Sequence, residues 1–360
     1  MNGHRETLRV MVTGIGGGGH GEQILKALRL AETPYHVVGT DMSRFSAGLS
    51  AADISHVVPP ASDPGFLDTI LELCRRHEVR ALFHGSEPEL RTFSAHRERF
   101  AELGIFLPIN PAGVIDLCMD KVKTCTFLQA RGFTSPAFAR IRSLDDALAF
   151  GHLPAVLKPS VGGGGSANTF LVQDLEMLRV CAAQMLTYYE ECIIQAYVGR
   201  VDAEYTVGVL HDMDGNLINS IAVHRHILSA LSNRLKVPNR SGRDELGPVL
   251  AISSGVSQGD IGRFPEVTEA CERIAAALGA TGAINIQCRL VDGVVHVFEI
   301  NPRFSGTTSL RAMVGYNEPD VLIRKHVLGE EIPVHFPYRS ATIARSLAEV
   351  EIAQMGDHRA

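Results

Sequence analysis

A chain of 360 residues, 45% hydrophobic and 21% charged, is long enough for two or three packed units. It carries no apolar run of about 18 residues that would span a bilayer and no apolar stretch after Met1 of the kind that directs secretion, so a cytoplasmic protein without a membrane partner is expected. The net charge of −6 comes without a basic stripe, which argues against nucleic acid as a main partner.

In chain order, an apolar strand at Leu8–Thr13 runs into a glycine-rich turn, Gly14–Gly21, and a helical pattern over 22–28. Gly14, Gly16 and Gly19 fit G-x-G-x-x-G, and Asp41 follows the next strand at His36–Thr40. Two readings stay open: a dinucleotide site of a nicotinamide-dependent oxidoreductase, or a tight turn that lets the helix pack close to a sheet. Helices over 64–78 and 88–102 alternate with strands at 79–83 and 104–108, implying a small open parallel α/β sheet over residues 1–115. Gly85-Ser86 follows a strand at its carboxyl end, where such sheets bind ligands. Ser86 with Glu89 also reads as an ordinary helix cap.

A helix from Asp120 to about Gly132 places Lys121 and Lys123 in its first turn, at the positive end of the dipole, an unfavourable position unless an anion is near. Lys158 interrupts the apolar strand 153–158, and Gly162, Gly163, Gly164 and Gly165 join it to a second strand at 168–172. With no helix directly after it, this is a β-hairpin whose bare backbone can donate amides to phosphates, or else a plain hairpin tip. A helix at 174–188 precedes Cys192–Val198 and the strand 204–210. An apolar segment entering a turn here can form an adenine slot, with backbone groups of Ala196, Tyr197 and Val198 on the base and Glu204 on the ribose. The strand 217–223 delivers His224-Arg225-His226, too short a cluster to make a metal site by itself. Segment 228–263 lacks periodicity and is rich in Ser, Gly and Asn, which suggests a functional loop. Seven cysteines, odd in number and never spaced Cys-x-x-Cys, read as reduced core thiols.

A helix at 266–278 leads to the strand 282–291, an Asp292-Gly293 turn and the strand ending in Glu299-Ile300-Asn301. Glu299 and Asn301 lie two apart and leave a strand by the same face, offering oxygen ligands suited to Mg²⁺. A regular hairpin with a two-residue turn sets Ile286 opposite Glu299. A three-residue loop or a bulge is required to bring Gln287 there as a third oxygen ligand. Pro302 stops the strand, Arg303 offers a planar fork for phosphate or carboxylate, and Ser305-Gly306-Thr307 can open an anion-attracting helix. Helices near 306–314, with Arg311, and 318–328 follow, with an edge strand at 341–344 and a tail.

Phe298 to Gly306, Gly282 to Gln287, Lys158 with its four glycines, and Glu204-Tyr205-Thr206-Val207 together resemble the ATP-grasp superfamily. They look most like the branch of the carbamoyl phosphate synthetase halves and related carboxylate–amine ligases. The resemblance implies an α/β N-terminal open parallel sheet (pre-ATP-grasp) over 1–115, followed by an α+β two-subdomain ATP-grasp fold. Its small subdomain with the glycine-rich lid would be 116–200, its large subdomain with the metal site 201–345, and 346–360 a C-terminal tail. ATP would lie between the subdomains, with Lys121 and Lys158 on its phosphates, Gly162 to Gly165 covering them and Glu204 on the ribose. Gln287, Glu299 and Asn301 would hold one or two Mg²⁺ (or Mn²⁺) ions, and Arg303 would face the transferred phosphoryl group. Gly16, Gly17, Arg225, Ser305, Gly306, Thr307 and Arg311 would serve the small-molecule carboxylate and nucleophile, and a homodimer is the assembly common in such families. Two departures from the pattern are Gln195, where an acidic residue is common, and His224-Arg225-His226.

Overall fold

The structure is a computed structural model that describes residues 7–162 and 168–350. The chain divides into two compact units, residues 1–109 with 305–332 and 346–360, and residues 110–304 with 333–345. In chain order the first unit contains β1 (Leu8–Val12), α1 (His20–Arg29), β2 (Tyr35–Asp41), β3 (Ile54–Val57), α2 (Phe66–Arg76), β4 (Ala81–Phe83), α3 (Glu87–Ala95) and α4 (Arg97–Glu102). The second contains α5 (Ala112–Cys118), α6 (Lys121–Ala130), β5 (Phe138–Ile141), α7 (Leu144–Leu148), β6 (Ala155–Pro159), β7 (Phe170–Val172), α8 (Leu175–Met185) and β8 (Cys192–Ala196). It continues with β9 (Glu204–His211), β10 (Leu217–Arg225), β11 (Asn233–Pro238), β12 (Val249–Ser253), β13 (Gly259–Gly262), α9 (Pro265–Leu278), β14 (Ala283–Val291) and β15 (Val294–Asn301). Helices α10 (Thr308–Met313) and α11 (Glu318–His326) return to the first unit, and β16 (Ala341–Ile343) to the second.

In the first unit β3-β2-β1-β4 form a parallel sheet, as the strand and helix alternation predicts. The chain adds β2 and β3 on one side of β1 and β4 on the other, and the Gly14 turn and Gly85 follow the parallel strands β1 and β4 at this switch point. The glycines there answer to close packing as much as to dihedral freedom. A Cβ on Gly21 would stand 2.4 Å from the Gly14 carbonyl oxygen and 2.6 Å from that of Thr13, so α1 sits against the end of β1. Ser86 caps α3 by accepting from the Glu89 amide, and Glu89 Oε2 accepts from the Gly85 amide at 2.9 Å. Residues 305–332, expected in the large subdomain, belong with this unit because α10 and α11 pack on α1. Asn317 Nδ2 donates to the Ala27 carbonyl at 2.8 Å, and the Tyr35 hydroxyl donates to Asp320 at 2.6 Å.

The second unit holds two antiparallel sheets, β5-β8-β6-β7 and β15-β14-β9-β10-β13-β16, with a two-stranded β11-β12 ribbon. One face of the six-stranded sheet buries Val207, Val209, Ile284, Ile286, Val297 and Ile300 against Val267, Cys271 and Ile274 of α9. The four-stranded sheet buries Leu157, Val172, Cys192 and Ile194 with Ala147 of α7 and Leu178 and Ala182 of α8. Segment 228–263, expected to be irregular, forms β11, β12 and β13 instead. Its alternation is hidden because β11 pairs only with β12 and keeps half its residues exposed. The strand expected at 104–108 reduces to a single bridge between Phe106 and Ala81, and the helix expected over 88–102 breaks at His96 into α3 and α4. All seven cysteines are free, and all but Cys181 are buried.

The close packing of Gly21 makes a prediction. Gly21→Ala should destabilise the protein by about 1–3 kcal/mol, read as a lower Tm, because the new methyl meets backbone oxygens that cannot swing away. Gly113→Ala, in α5 with nothing within 4 Å of the added carbon, should be neutral or stabilising by up to about 1 kcal/mol.

Candidate active site

The β14–β15 hairpin turns at Asp292-Gly293, whose φ angles of 50° and 76° suit a two-residue turn of the right twist. That turn pairs Val291 with Val294 and Cys288 with Val297, yet Gln287 pairs with Glu299. Phe298 is therefore an extra residue, and the bulge it makes brings Gln287 across from Glu299. The turn has two residues and the bulge supplies the shift that the Gln287 assignment requires. Core packing enforces it: Val297 and Ile300 both enter the core although three positions apart, which a regular strand cannot achieve. The Phe298 carbonyl, displaced from the ladder, accepts from Gln195 Nε2 at 3.3 Å, and the same nitrogen lies 3.2 Å from Cys125 Sγ. Gln195, which as a sequence only departed from a family pattern, is thus a buried donor to the bulge.

Around Glu299 the charges converge. Lys158, on β6 and 7% exposed, holds its Nζ 3.7 Å from Glu299 Oε2 and 5.7 Å from the centre of the Phe298 ring. Asn301 Nδ2 donates to Glu299 Oε1 at 3.3 Å, and Arg303 Nη2 donates to Asn301 Oδ1 at 3.1 Å. Lys121 Nζ reaches the Gly162 carbonyl at 2.9 Å, while Asp120 caps α6 and accepts from the Ser160 hydroxyl at 2.8 Å. The first-turn lysine therefore anchors the start of the glycine segment; Gly163, Gly164 and Gly165 lie outside the described residues. Burial alone would raise the Glu299 pKa, but Lys158, Lys121, Asn301 and Arg303 together hold it below the ordinary carboxylate range. Burial pushes the Lys158 ammonium below its usual value, and Glu299 opposes that push.

Could these groups hold a divalent ion? Glu299, Gln287 and Asn301 each carry a side-chain oxygen, the donor type a hard cation takes; Asn301 here turns its Nδ2 to Glu299 and its Oδ1 to Arg303, and would ligate an ion by exchanging those two hydrogen bonds. Lys158, Lys121 and Arg303 leave a surplus of positive charge around a single carboxylate, which suits a polyphosphate. The residues fit a magnesium–nucleotide phosphate group.

Other expected residues are engaged elsewhere. Glu204, expected on a ribose, is buried between two guanidiniums: Arg225 Nη1 lies 3.0 Å from Oε1 and Arg289 Nη2 3.1 Å from Oε2. Both carboxylate oxygens are thus occupied, and strand β12 covers the group, with Ser253 Oγ and the Ser254 carbonyl accepting from Arg225. Arg225, expected at the substrate, is 3% exposed and serves this triad. Arg289, absent from the sequence reading, also donates to the Val198 carbonyl at 3.0 Å and lies 4.3 Å over the Tyr197 ring. The amides of Ala196 and Tyr197 donate to the carbonyls of Ala137 and Pro154, each at 2.8 Å, so those donors do not await a base. Arg311, expected at an anion, is wholly buried and grips Glu318 at 3.0 and 3.2 Å. A buried Arg paired with a Glu cannot be told from a substrate-binding Arg without the partner's position.

In the first unit the Asp41 carboxylate accepts from the amides of Gly16 at 2.8 Å and Ser43 at 2.9 Å. It shapes the glycine turn, and a Cβ on Gly16 would collide with Ser46 Oγ at 2.5 Å, whereas Gly17 faces open space. Ser305 and Thr307 are buried, their hydroxyls 2.7 Å apart, so of the expected Ser305–Thr307 segment only Gly306 keeps intermediate exposure.

Solved structures with this arrangement of elements include N5-carboxyaminoimidazole synthetase from Staphylococcus aureus, with a TM-score of 0.62 and 14% identity over 94% of this chain and 82% of that one. The L-amino acid ligase from Bacillus licheniformis superposes with a TM-score of 0.60 and 18% identity, over 90% of this chain and 74% of that one. The chain has the ATP-grasp fold. Residues 12–108 match the family described as "PylC-like, N-terminal domain", and residues 253–349 the one described as "ATP-grasp in the biosynthetic pathway with Ter operon". The carbamoyl phosphate synthase large chain of Thermoplasma acidophilum is 26% identical over 218 residues, 58% of this chain and 19% of that protein. The chain thus spans about a fifth of the length of the curated relative it matches.

The buried triad sets a stability test. Burial would raise the Glu204 pKa, but Arg225 and Arg289 bring it below the ordinary value, so its contribution is present above about pH 4.5 and is lost as pH falls through the lowered value. Glu204→Gln should cost about 3–5 kcal/mol at neutral pH in thermal or urea unfolding. The gap to the unsubstituted protein should close in acid.

Proposed function

We propose that this protein is an ATP- and Mg²⁺-dependent ligase that activates a carboxylate as an acyl phosphate and couples it to an amine or another nucleophile. The observation that carries the reading is the bulge at Phe298. It spends backbone pairing to set Gln287 opposite Glu299, beside Lys158 and Arg303, and the core has no other use for those polar groups. The fold shared with N5-carboxyaminoimidazole synthetase and L-amino acid ligase supports it.

The reaction begins when a carboxylate oxygen attacks the terminal phosphorus of ATP and the bond to the β-bridging oxygen breaks, releasing ADP. The nucleophile then adds to the acyl carbon, gives up its proton to solvent and expels phosphate. Mg²⁺, or Mn²⁺ in its place, when bound supplies neutralisation of phosphate charge. Glu299, Gln287 and Asn301 are the residues that would hold that ion through their side-chain oxygens. Lys158, kept in place by burial and by Glu299, and Arg303, braced by Asn301 and the Phe304 carbonyl, stabilise negative charge on the transferring group. Lys121 holds the Gly162 carbonyl, at the start of the segment whose glycines 163 to 165 lie outside the described residues. Gly17 and Gly306, with the Gly14–Gly19 turn, are the positions proposed for the small-molecule substrates. Among the described residues no helix is long and apolar enough to cross a membrane, and a cytoplasmic setting completes the reading.

Phosphate release with ATP and Mg²⁺, screened against pools of carboxylates and amines, tests it. Release should depend on both substrates, and Glu299→Ala should lower turnover about 10²–10³-fold, the scale of losing one preorganised electrostatic group, in a chain that still folds cooperatively, with a Tm lowered by the loss of the Lys158 partner. ATP should raise the Tm more than NAD or NADP does. An active Glu299→Ala enzyme with normal Mg²⁺ dependence would sink the assignment, a phosphorylated product without coupling would make the protein a kinase, and stabilisation by NAD would restore the oxidoreductase reading.

A further inference from the structure

We propose that His224, His226 and Asp260 form a binding site for a divalent transition-metal ion of the Zn²⁺ type, on the face of the six-stranded sheet opposite Glu299. Side chains alternate along a strand. Arg225 enters the Glu204 triad, on the face shared with Gln287, Glu299 and Arg289, so His224 and the following His226 leave by the other. The antiparallel register of β10 and β13 sets Asp260 directly across from His224, and His226 Nε2 lies 2.9 Å from Asp260 Oδ2. One donor atom from each of the three side chains lies within 4.8 Å of the others.

The donor chemistry selects the ion. Two imidazoles and one carboxylate suit Zn²⁺ or its neighbours Co²⁺ and Ni²⁺, whereas Mg²⁺ prefers oxygens. Contacts behind the donors support the assignment. The Asp202 carbonyl can only accept, so its hydrogen bond with His224 Nε2 places the proton there and leaves Nδ1 with the lone pair. The Thr342 hydroxyl donates to Asp260 Oδ1 at 2.6 Å, which leaves Oδ2 toward His226. Outer partners of this kind orient metal ligands. The His224 ring is further held by stacking on Tyr205, with centroids 4.6 Å apart, and by the edge of Phe264. The side chains of His226 and Asp260 are 52% and 42% exposed, leaving an ion a path in and room for a water ligand. The plain alternative is an exposed His–Asp pair of little energetic worth, with Thr342 the cross-strand partner of Asp260 and Tyr205 that of His224; what it leaves unused is a third donor, from His224, within 4.8 Å of the other two. An ion here would tie β13 to β10 near the β16 edge.

The inference does not rest on the proposed ligase activity, and its test needs no nucleotide. The metal-free full chain is titrated with Co²⁺, and then Zn²⁺, in excess Mg²⁺, following visible absorption, heat and Tm. One equivalent of Co²⁺ should develop a visible band that Zn²⁺ abolishes, and Zn²⁺ should raise the Tm. His226→Ala and Asp260→Ala, at exposed positions where folding is not at stake, should each weaken Zn²⁺ binding more than about tenfold, and Thr342→Val by about tenfold. Glu299→Ala should bind Zn²⁺ as the unsubstituted chain does. Absence of a one-equivalent transition, or equal affinity in the His226 and Asp260 variants, overturns the site.

Discussion

A β-strand has two faces, and β15 must serve both with residues whose spacing disagrees. Val297 and Ile300 belong to the core under α9, while Glu299 and Asn301 must stand with Gln287 on the opposite face. The period of two is satisfied only if one residue leaves the ladder, and Phe298 is that residue. A displaced buried carbonyl costs about 1–3 kcal/mol when unpaired; Gln195 accepts that role and offsets the loss. Lys158 and Arg303 then close on a carboxylate whose position is decided by core packing two residues away.

The second unit uses the same residue types in two opposite ways. Around Glu204, two arginines and one carboxylate are sealed under β12, with nearly every donor met by a backbone or hydroxyl oxygen, and the result is a closed structural knot. Around Glu299, lysines and an arginine outnumber the carboxylate, whose side chain keeps 28% exposure. Both clusters carry more cations than anions; access separates them, because the Glu204 side chain is 3% exposed and the Glu299 side chain 28%, and it is the accessible cluster that the proposed chemistry uses. Buried ion pairs are weak evidence of function or of net stability, and Arg311 with Glu318 in the first unit makes the same point.

Much of the candidate site was legible as sequence. Lys158, Glu299, Asn301 and Arg303 could be brought into one proposal because those side chains follow strands and turns whose local periods are plain, and the alternation over the first hundred residues announces a parallel sheet. The Val297–Ile300 spacing also held the bulge in view, once Ile300 is known to be buried. What stayed hidden was partnership. Glu204, Arg225 and Arg311 read as ligand contacts because an isolated charged residue in an apolar setting signals either a ligand or a buried ion pair, and only the position of Arg289 or Glu318 chooses between them. The β11–β12 ribbon escaped notice because its pattern is half exposed.

By itself, then, the sequence determined the local elements, the face on which Glu299 and Asn301 stand, and the condition under which Gln287 joins them. Tertiary structure alone decided which charges are consumed. Pairing Arg289 with Glu204, Gln195 with the Phe298 carbonyl, and Asp260 with His226 joins residues between 34 and 103 positions apart, and electrostatic satisfaction depends on distance in space, which local periodicity does not encode.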